Sequence, residues 1–185
     1  MKTVIAEVSA RHIHLSQVDF EKLFGKDKTM LADRPISQPG QFATKQVVTA
    51  QGPKKEFQLR IVGPARTKSQ VELSITDCLN LGIKPILQVS GKVIKSSSLT
   101  IIGPKAKIKV AAIVAWRHLH ISEKQAKAWG LKNGQKISAT ASGDRAVEFK
   151  NIIVRTGNFV TRLHLDTDEA NSAGIISGTK VKLLI

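Results

Sequence analysis

The chain has 185 residues, enough for one large domain or two small ones closely joined. Apolar residues make up 42%, which supplies a packable core and argues against disorder despite a net charge of +15. One cysteine excludes an intrachain disulfide and a thiolate-rich metal cluster, MKTVIAEVSA lacks the apolar core of a signal peptide, and no stretch approaches about 18 uninterrupted apolar residues. A soluble protein of a reducing compartment is expected.

In chain order, the first predicted helix follows Ser16, with Asp19 three residues on, and stops at Gly25. The stretch Asp33-Arg-Pro-Ile-Ser-Gln-Pro-Gly40 is rich in turn residues. Runs 42–50 and 57–62 are rich in Val, Ile and Thr and read as strands. A second helix follows Ser74 with Asp77, ends at Gly82 and places Cys78 in the core. Strands follow at 86–90, 99–102 and 107–114. A third helix follows Ser122, where Gln125 predicts a capping box, and stops at Gly130. Strands at 136–141 and 149–155 come next, then a helix from Asp166 with Glu169 to Gly174, then a strand at 180–185. Many short strands with regular turns predict an all-β protein with short capping helices, a barrel or a sandwich.

Two internal repeats underlie this order. VSARHIHLS at 8–16 recurs as VAWRHLHIS at 114–122, an offset of 106 (Val8 to Val114). Segment 57–83 lies ungapped over 149–175, an offset of 92 (Phe57 to Phe149), with Glu72 opposite His164. The difference of 14 places extra residues in the first copy, around Asp33–Gly40. All five histidines fall in these repeats. In a strand, residues i and i+2 share a face, so each His-x-His offers two imidazoles to one ion. The alignment adds a third ligand to each pair. The expected sets are His12, His14 and Glu72, and His118, His120 and His164. Three protein ligands leave a position open, and nitrogen and oxygen donors without thiolate suit zinc, with Co(II), Fe(II) or Mn(II) as substitutes.

Other residues carry less. Arg11 and Arg117 precede the histidine pairs and point to the opposite strand face, where a structural ion pair is expected. Trp116 and Trp129 read as packing residues, and Asp166, Asp168 and Glu169 suit helix capping as well as a metal loop. Arg66 follows the turn Gly63-Pro64-Ala65 and reads either as a solvated turn residue or as a bidentate phosphate grip. The basic residues are scattered, as in Lys54-Lys55, Lys92, Lys95 and the alternating Lys105, Lys107 and Lys109, which read as a solvated strand face. With no Tyr, 6 Phe and 2 Trp, base-stacking platforms are sparse, so a basic nucleic-acid-binding module is the less favoured class. A metal-dependent hydrolase of phosphoesters or thioesters would use the same ligands.

SARHIHLS at 9–16, QPGQFA at 38–43, GPARTKSQVELSITD at 63–77, RHLHIS at 117–122 and HLDTDEAN at 164–171 together resemble phosphotransacylases of the phosphate propanoyltransferase (PduL) type. The resemblance runs over nearly the whole chain. It implies the reaction acyl-CoA + phosphate ⇌ acyl phosphate + CoA, with propanoyl or acetyl as the acyl group and direct attack of phosphate on the thioester. It implies two intimately joined antiparallel β-barrels with two metal ions, most consistent with zinc. One barrel would hold 1–10 with about 116–185; the other would hold 11–115, with a lid at about 25–45. The family's ligands fall on the six residues grouped above, and its phosphate-handling arginine on Arg66. Ser9, Arg34, Arg60 and Asn171 match positions near bound CoA, and Gln38, Pro39 and Gly40 match the lid. Trp116 departs from the small residue expected there, and the basicity is high for the family. Some members carry an N-terminal helix that directs them to a bacterial microcompartment. This chain starts a few residues before the first motif, so a freestanding cytoplasmic enzyme is expected, with a homodimer suggested by the same analogy.

Overall fold

A computed structural model describes residues 2–185. In order, the elements are β1 (Lys2–Ser9), β2 (His12–His14), α1 (Gln17–Phe24), β3 (Ala32–Pro35), β4 (Phe42–Gln51), β5 (Glu56–Gly63), β6 (Gln70–Leu73) and α2 (Ile75–Leu81). There follow β7 (Leu87–Gln88), β8 (Ser97–Ile102), β9 (Lys107–Ala115), β10 (His118–Ser122), α3 (Glu123–Ala128), β11 (Lys136–Ala141), β12 (Val147–Gly157), β13 (Arg162–Asp166), α4 (Thr167–Ser172) and β14 (Lys180–Leu184). The chain divides into two compact units: Met1–Ala10 with Trp116–Ile185, and Arg11–Ala115. Among the described residues, no helix is long and apolar enough to cross a membrane.

The first unit is a closed barrel in the order β1-β13-β10-β12-β11-β14. In the second, β4, β5, β2, β6, β9 and β8 pair in turn, and β8 returns to β4, closing another six-stranded barrel. Strand β3 extends one side by pairing with β4, and β7 pairs with β9; neither has a counterpart among the described residues of the first unit. Laid over one another by the repeat, the two barrels have the same strand order. β2 matches β10, β6 matches β13, β5 matches β12, and β9 matches β1. The first strand of each repeat lies in the barrel made mainly from the other repeat: β1 pairs with β13 and β14, while β9 pairs with β6 and β8.

The expectation of antiparallel barrels needs one correction. Four of the six pairings in each barrel are antiparallel, and two are parallel: β1–β13 and β10–β12 in one, β2–β5 and β6–β9 in the other. Parallel neighbours need a connection long enough to return the chain to the same end. Between β2 and β5 that connection includes α1 and β4; between β10 and β12 it includes α3 and β11.

Side-chain alternation fills both barrels. Val4, Ala6, Leu119, Ile121, Ile152, Val154, Leu163, Leu165, Val181 and Leu183 are buried in the first core. Ile13, Leu15, Leu59, Ile61, Val71, Leu73, Leu99, Ile101, Val110 and Ala112 do the same in the second. Burial of these aliphatic faces contributes about 25 cal/mol per Å² of area removed from water.

All four helices begin at the side-chain caps read from the sequence. Ser16, Ser74, Ser122 and Asp166 accept the backbone N–H three residues on. The reciprocal box is complete at Ser74–Asp77 and Asp166–Glu169. It is not found at Ser122, where the Gln125 side chain instead accepts from the Thr161 hydroxyl. Gly25 and Gly82 cap α1 and α2, whereas Trp129 and Ala173 cap α3 and α4, one residue before the expected Gly130 and Gly174. Cys78 is buried in α2.

Candidate metal centres

The same alternation that fills the barrels pushes the histidines outward. Ile13 and Leu15 face one core, so His12 and His14 face out of the barrel wall; Leu119 and Ile121 place His118 and His120 likewise. The third residue of each set comes from the neighbouring antiparallel strand. His12 stands opposite Glu72 across β2–β6, and His118 stands opposite His164 across β10–β13. Directly opposed side chains in an antiparallel pair are only about 5 Å apart at Cβ. The structure therefore gathers two compact groups. In each, the ligand atoms lie within 4.8 Å of one another.

In the unit Arg11–Ala115, the His12 and His14 Nε2 atoms are 3.1 Å apart. Glu72 oxygens lie 3.9 Å from His12 Nε2 and 3.7 Å from His14 Nε2. His14 Nδ1 lies 3.1 Å from the Val62 carbonyl, which can only accept, so Nδ1 carries the hydrogen and the Nε2 lone pair faces the group. Glu72 is held in turn by the Ser90 hydroxyl at 2.5 Å and the Gln70 amide at 2.7 Å. Gln70 also accepts from Gly91 N–H at 3.0 Å. Converging ring nitrogens, an outer carbonyl fixing one ring, and an anchored carboxylate fit a divalent cation.

The protonation states agree with ligation. Burial, with the neighbouring His12 adding to it, lowers the His14 pKa to about 3 against the opposing pull of Glu72. Burial alone would raise the Glu72 carboxyl. The adjacent His12 and His14, the Ser90 hydroxyl and Arg66 outweigh it and hold that carboxyl well below the usual carboxylate range. His14 neutral and Glu72 ionised are the forms that bind metal. A pH dependence follows for chelator-treated protein. Below the ordinary histidine pKa of 6.5, unfolded His14 takes up a proton that the folded protein refuses until about pH 3. The unfolded state binds more protons in that window, so stability falls as pH falls through it. The melting temperature should therefore drop between pH 7 and 5; a flat or rising profile contradicts the burial of this ring.

In the other unit, His118 Nδ1 lies 2.8 Å from the Trp116 carbonyl, which again leaves Nε2 facing the group. The His118 and His164 rings stack at 5.0 Å, with His120 edge-on to both. Phe159 stacks on His120 at 4.1 Å. His118 and His120 are buried, and His164 nearly so.

Each donor set is tied down by a repeated clamp. Arg11, just before β2, pairs with Asp77 of α2 and lies 4.3 Å from the Phe57 ring. Arg117, just before β10, has Nε 2.7 Å from Glu169 of α4 and lies 5.6 Å from the Phe149 ring. These positions match by the two repeat offsets. Each clamp links the His-x-His strand to the helix that follows the third ligand, as expected of a structural pair. Burial, reinforced by Asp166, raises the Glu169 carboxyl, and Arg117 opposes that rise. Arg117→Met should cost about 1–3 kcal/mol in urea unfolding, because a largely desolvated carboxylate loses its partner.

Arg66 lies beside the Glu72 set. Its backbone N–H donates to the Leu15 carbonyl at 2.9 Å, and its Nη1 reaches Ser90 Oγ at 3.4 Å and Glu72 Oε1 at 3.9 Å. Ser9 ends β1 opposite Asp166. Arg34 is exposed on β3, and Asn171 is exposed on α4. Arg60 on β5 is tied to the Thr44 carbonyl at 2.8 Å and to Asp33 at 3.6 Å. Gln38 is buried, and its carbonyl accepts from Gln41 N–H at 3.1 Å across Pro39 and Gly40. Gly40 there has φ +72°, the left-handed conformation that the third position of this turn demands. Sequence reasoning missed Gln70, Ser90 and Glu7. Gln70 shares a strand face with Glu72 at i and i+2, a signal that was available. Ser90 arrives from a distant loop and left none.

Two six-stranded barrels of one topology, each bearing a three-residue group that could hold a divalent ion, define a duplicated barrel protein with two candidate metal sites. Comparison with known proteins gives the class a family. The phosphate propanoyltransferase family profile matches residues 5–176. The chain is 44% identical over 179 residues to a protein named phosphate propanoyltransferase from Priestia megaterium, covering 95% of this chain and 82% of that one. It is 37% identical over 180 residues to the Rhodobacter capsulatus protein of that name, covering 95% and 84%. It is 37% identical over 186 residues to the one from Thermotoga maritima, covering 98% and 89%. The chain belongs to the phosphate propanoyltransferase family, a family of acyltransferase enzymes.

Proposed function

We propose that the chain is a metal-dependent phosphate acyltransferase that interconverts acyl-CoA and phosphate with acyl phosphate and CoA, acting on propanoyl or acetyl groups. The observation that carries the reading is Arg66 beside the His12–His14–Glu72 group. It places a guanidinium next to donors suited to a divalent ion. His12, His14 and Glu72 would hold one ion and His118, His120 and His164 a second, with zinc favoured by the donor chemistry. Bound there, a divalent ion supplies Lewis-acid stabilisation of negative charge.

The chain's own residues do the rest. Arg66 grips phosphate through its planar fork and orients one oxygen toward the thioester carbonyl carbon. A C–O bond forms to that carbon, and the C–S bond breaks as the tetrahedral oxyanion collapses. The electron pair leaves on the CoA sulfur, and the thiolate takes a proton from solvent. No acyl-enzyme is needed, in keeping with the burial of Cys78 to 1% exposure. Ser9, Arg34, Arg60 and Asn171 serve as CoA contacts, with Gln38, Pro39 and Gly40 in a lid over residues 25–45. Support for the lid comes from β3 and its turn, an addition without a counterpart among the described residues of the other barrel.

The deciding experiment is a coupled assay over an acyl-CoA series with and without phosphate, paired with elemental analysis. Phosphate-dependent release of CoA with acyl phosphate as co-product is the expected result. Release of CoA without phosphate would make the protein a thioester hydrolase, and full activity after exhaustive chelation would remove the metal from the reaction.

A further inference from the structure

Because the two barrels share one topology, loops in matching positions can be compared. The loop between β5 and β6 carries Arg66, Thr67 and Lys68. Its counterpart between β12 and β13 reads Asn158, Phe159, Val160 and Thr161, with no charged side chain. Each loop stands beside a donor group. Arg66 Nη1 lies 3.9 Å from Glu72 Oε1, whereas the Phe159 ring lies flat on His120, with centroids 4.1 Å apart and planes 15° from parallel. Gly157 gives that ring its room, since a Cβ there would come within 2.8 Å of it. Phe159 is only partly buried, Val160 is 37% exposed, and among the described residues neither belongs to the set that fills the barrel core. Ile153, opposite His118 across β10–β12, is likewise only partly buried. Apolar side chains that stand outside the core, beside buried imidazoles, offer their surface to an uncharged ligand.

We propose that Phe159 is the specificity-determining residue for the acyl group, its ring forming the wall that a short acyl chain packs against and a longer one strikes. The inference rests on the acyltransferase reading. Its consequence is a division of labour between matching loops: the one with Arg66 takes the charged reactant, and the one with Phe159 takes the apolar end of the other. The contact with His120 decides which part of acyl-CoA the ring meets. A side chain in contact with a member of the donor group stands close to the reacting carbonyl, where the acyl chain begins, whereas the adenine of CoA lies at the far end of the pantetheine arm. One methylene more or less in an apolar pocket changes kcat/KM by about 10–200-fold, so a single ring is enough to set a chain-length limit.

The test is kcat/KM of the full-length protein for acetyl-, propanoyl-, butanoyl- and hexanoyl-CoA at saturating phosphate, with calorimetric binding of the same four thioesters in the absence of phosphate. Phe159→Ala should raise hexanoyl-CoA relative to propanoyl-CoA by about ten-fold or more, in kcat/KM and in affinity alike. Phe159→Trp should do the reverse and lower propanoyl-CoA relative to acetyl-CoA by a similar factor. The KM for phosphate should stay at its wild-type value in both. Unmoved ratios in both variants would overturn the assignment. So would an equal loss on all four thioesters, the result expected of a ring that meets adenine or merely props His120. Should Phe159→Ala fold poorly, Phe159→Trp decides by the same ratio. A wild-type protein that forms no acyl phosphate from any of the four would overturn the acyltransferase reading and this inference with it, whereas an active wild type with unmoved ratios in the variants overturns the role of Phe159 alone.

Discussion

Arg66→Ala should lower kcat by about 100-fold or more, the scale seen when an enzyme loses one donor to a charge that develops in the transition state. The backbone at this position is held independently of the side chain, by the N–H bond to Leu15 and the short bridge to Ser16. Truncation should therefore remove the guanidinium without moving β5 or β6. The metal content should stay at the wild-type value, because Arg66 is 3.9 Å from Glu72 Oε1 and donates nothing to an ion. Arg66→Lys keeps the charge and loses the fork, so it should recover only part of the rate. Near-normal phosphate-dependent turnover in Arg66→Ala would reject the phosphate role.

The second large effect is expected for His14→Ala. This ring is 3% exposed, its Nδ1 is backed by Val62, and its Nε2 faces both His12 and Glu72. Loss of an outer partner of a metal ligand typically costs about 10–100-fold, and loss of a ligand itself should exceed that. Elemental analysis should show one ion fewer per chain, and turnover should fall with it. The apolar core lies behind Ile13 and Leu15 on the opposite face of the strand, so the fold should survive. Retention of full metal content and full activity would separate this group from the chemistry.

The local features were legible in the sequence because they depend on local chemistry. Ser16, Ser74, Ser122 and Asp166 each stand three residues before the N–H that they cap, and four helices start there. Proximity of His12 to His14 follows from strand alternation alone, and that of Glu72 from an alignment of the chain with itself. The unfinished box at Ser122 was not readable. Its cause is Thr161, 36 residues from Gln125, which claims the amide oxygen. The parallel pairs were missed because alternation gives a strand's faces but not its neighbour's direction. Glu7 escaped for a similar reason. It sits five residues before His12, yet its partners are Arg162 and His164 at the far end of the chain. Basicity suggested anionic partners in general; which anion depends on where Arg66 sits.

The traded first strands carry a further consequence. Without β1, the barrel of β10–β14 would leave β13 and β14 with bare edges, and without β9 the other barrel would leave β6 and β8 in the same state. A protein made of a single such repeat could seal itself only by borrowing that strand from a second molecule. Severing the present chain in the turn between β8 and β9 should thus yield two fragments that are insoluble apart and soluble when co-expressed. The fused gene keeps together two partners that could otherwise drift away from each other.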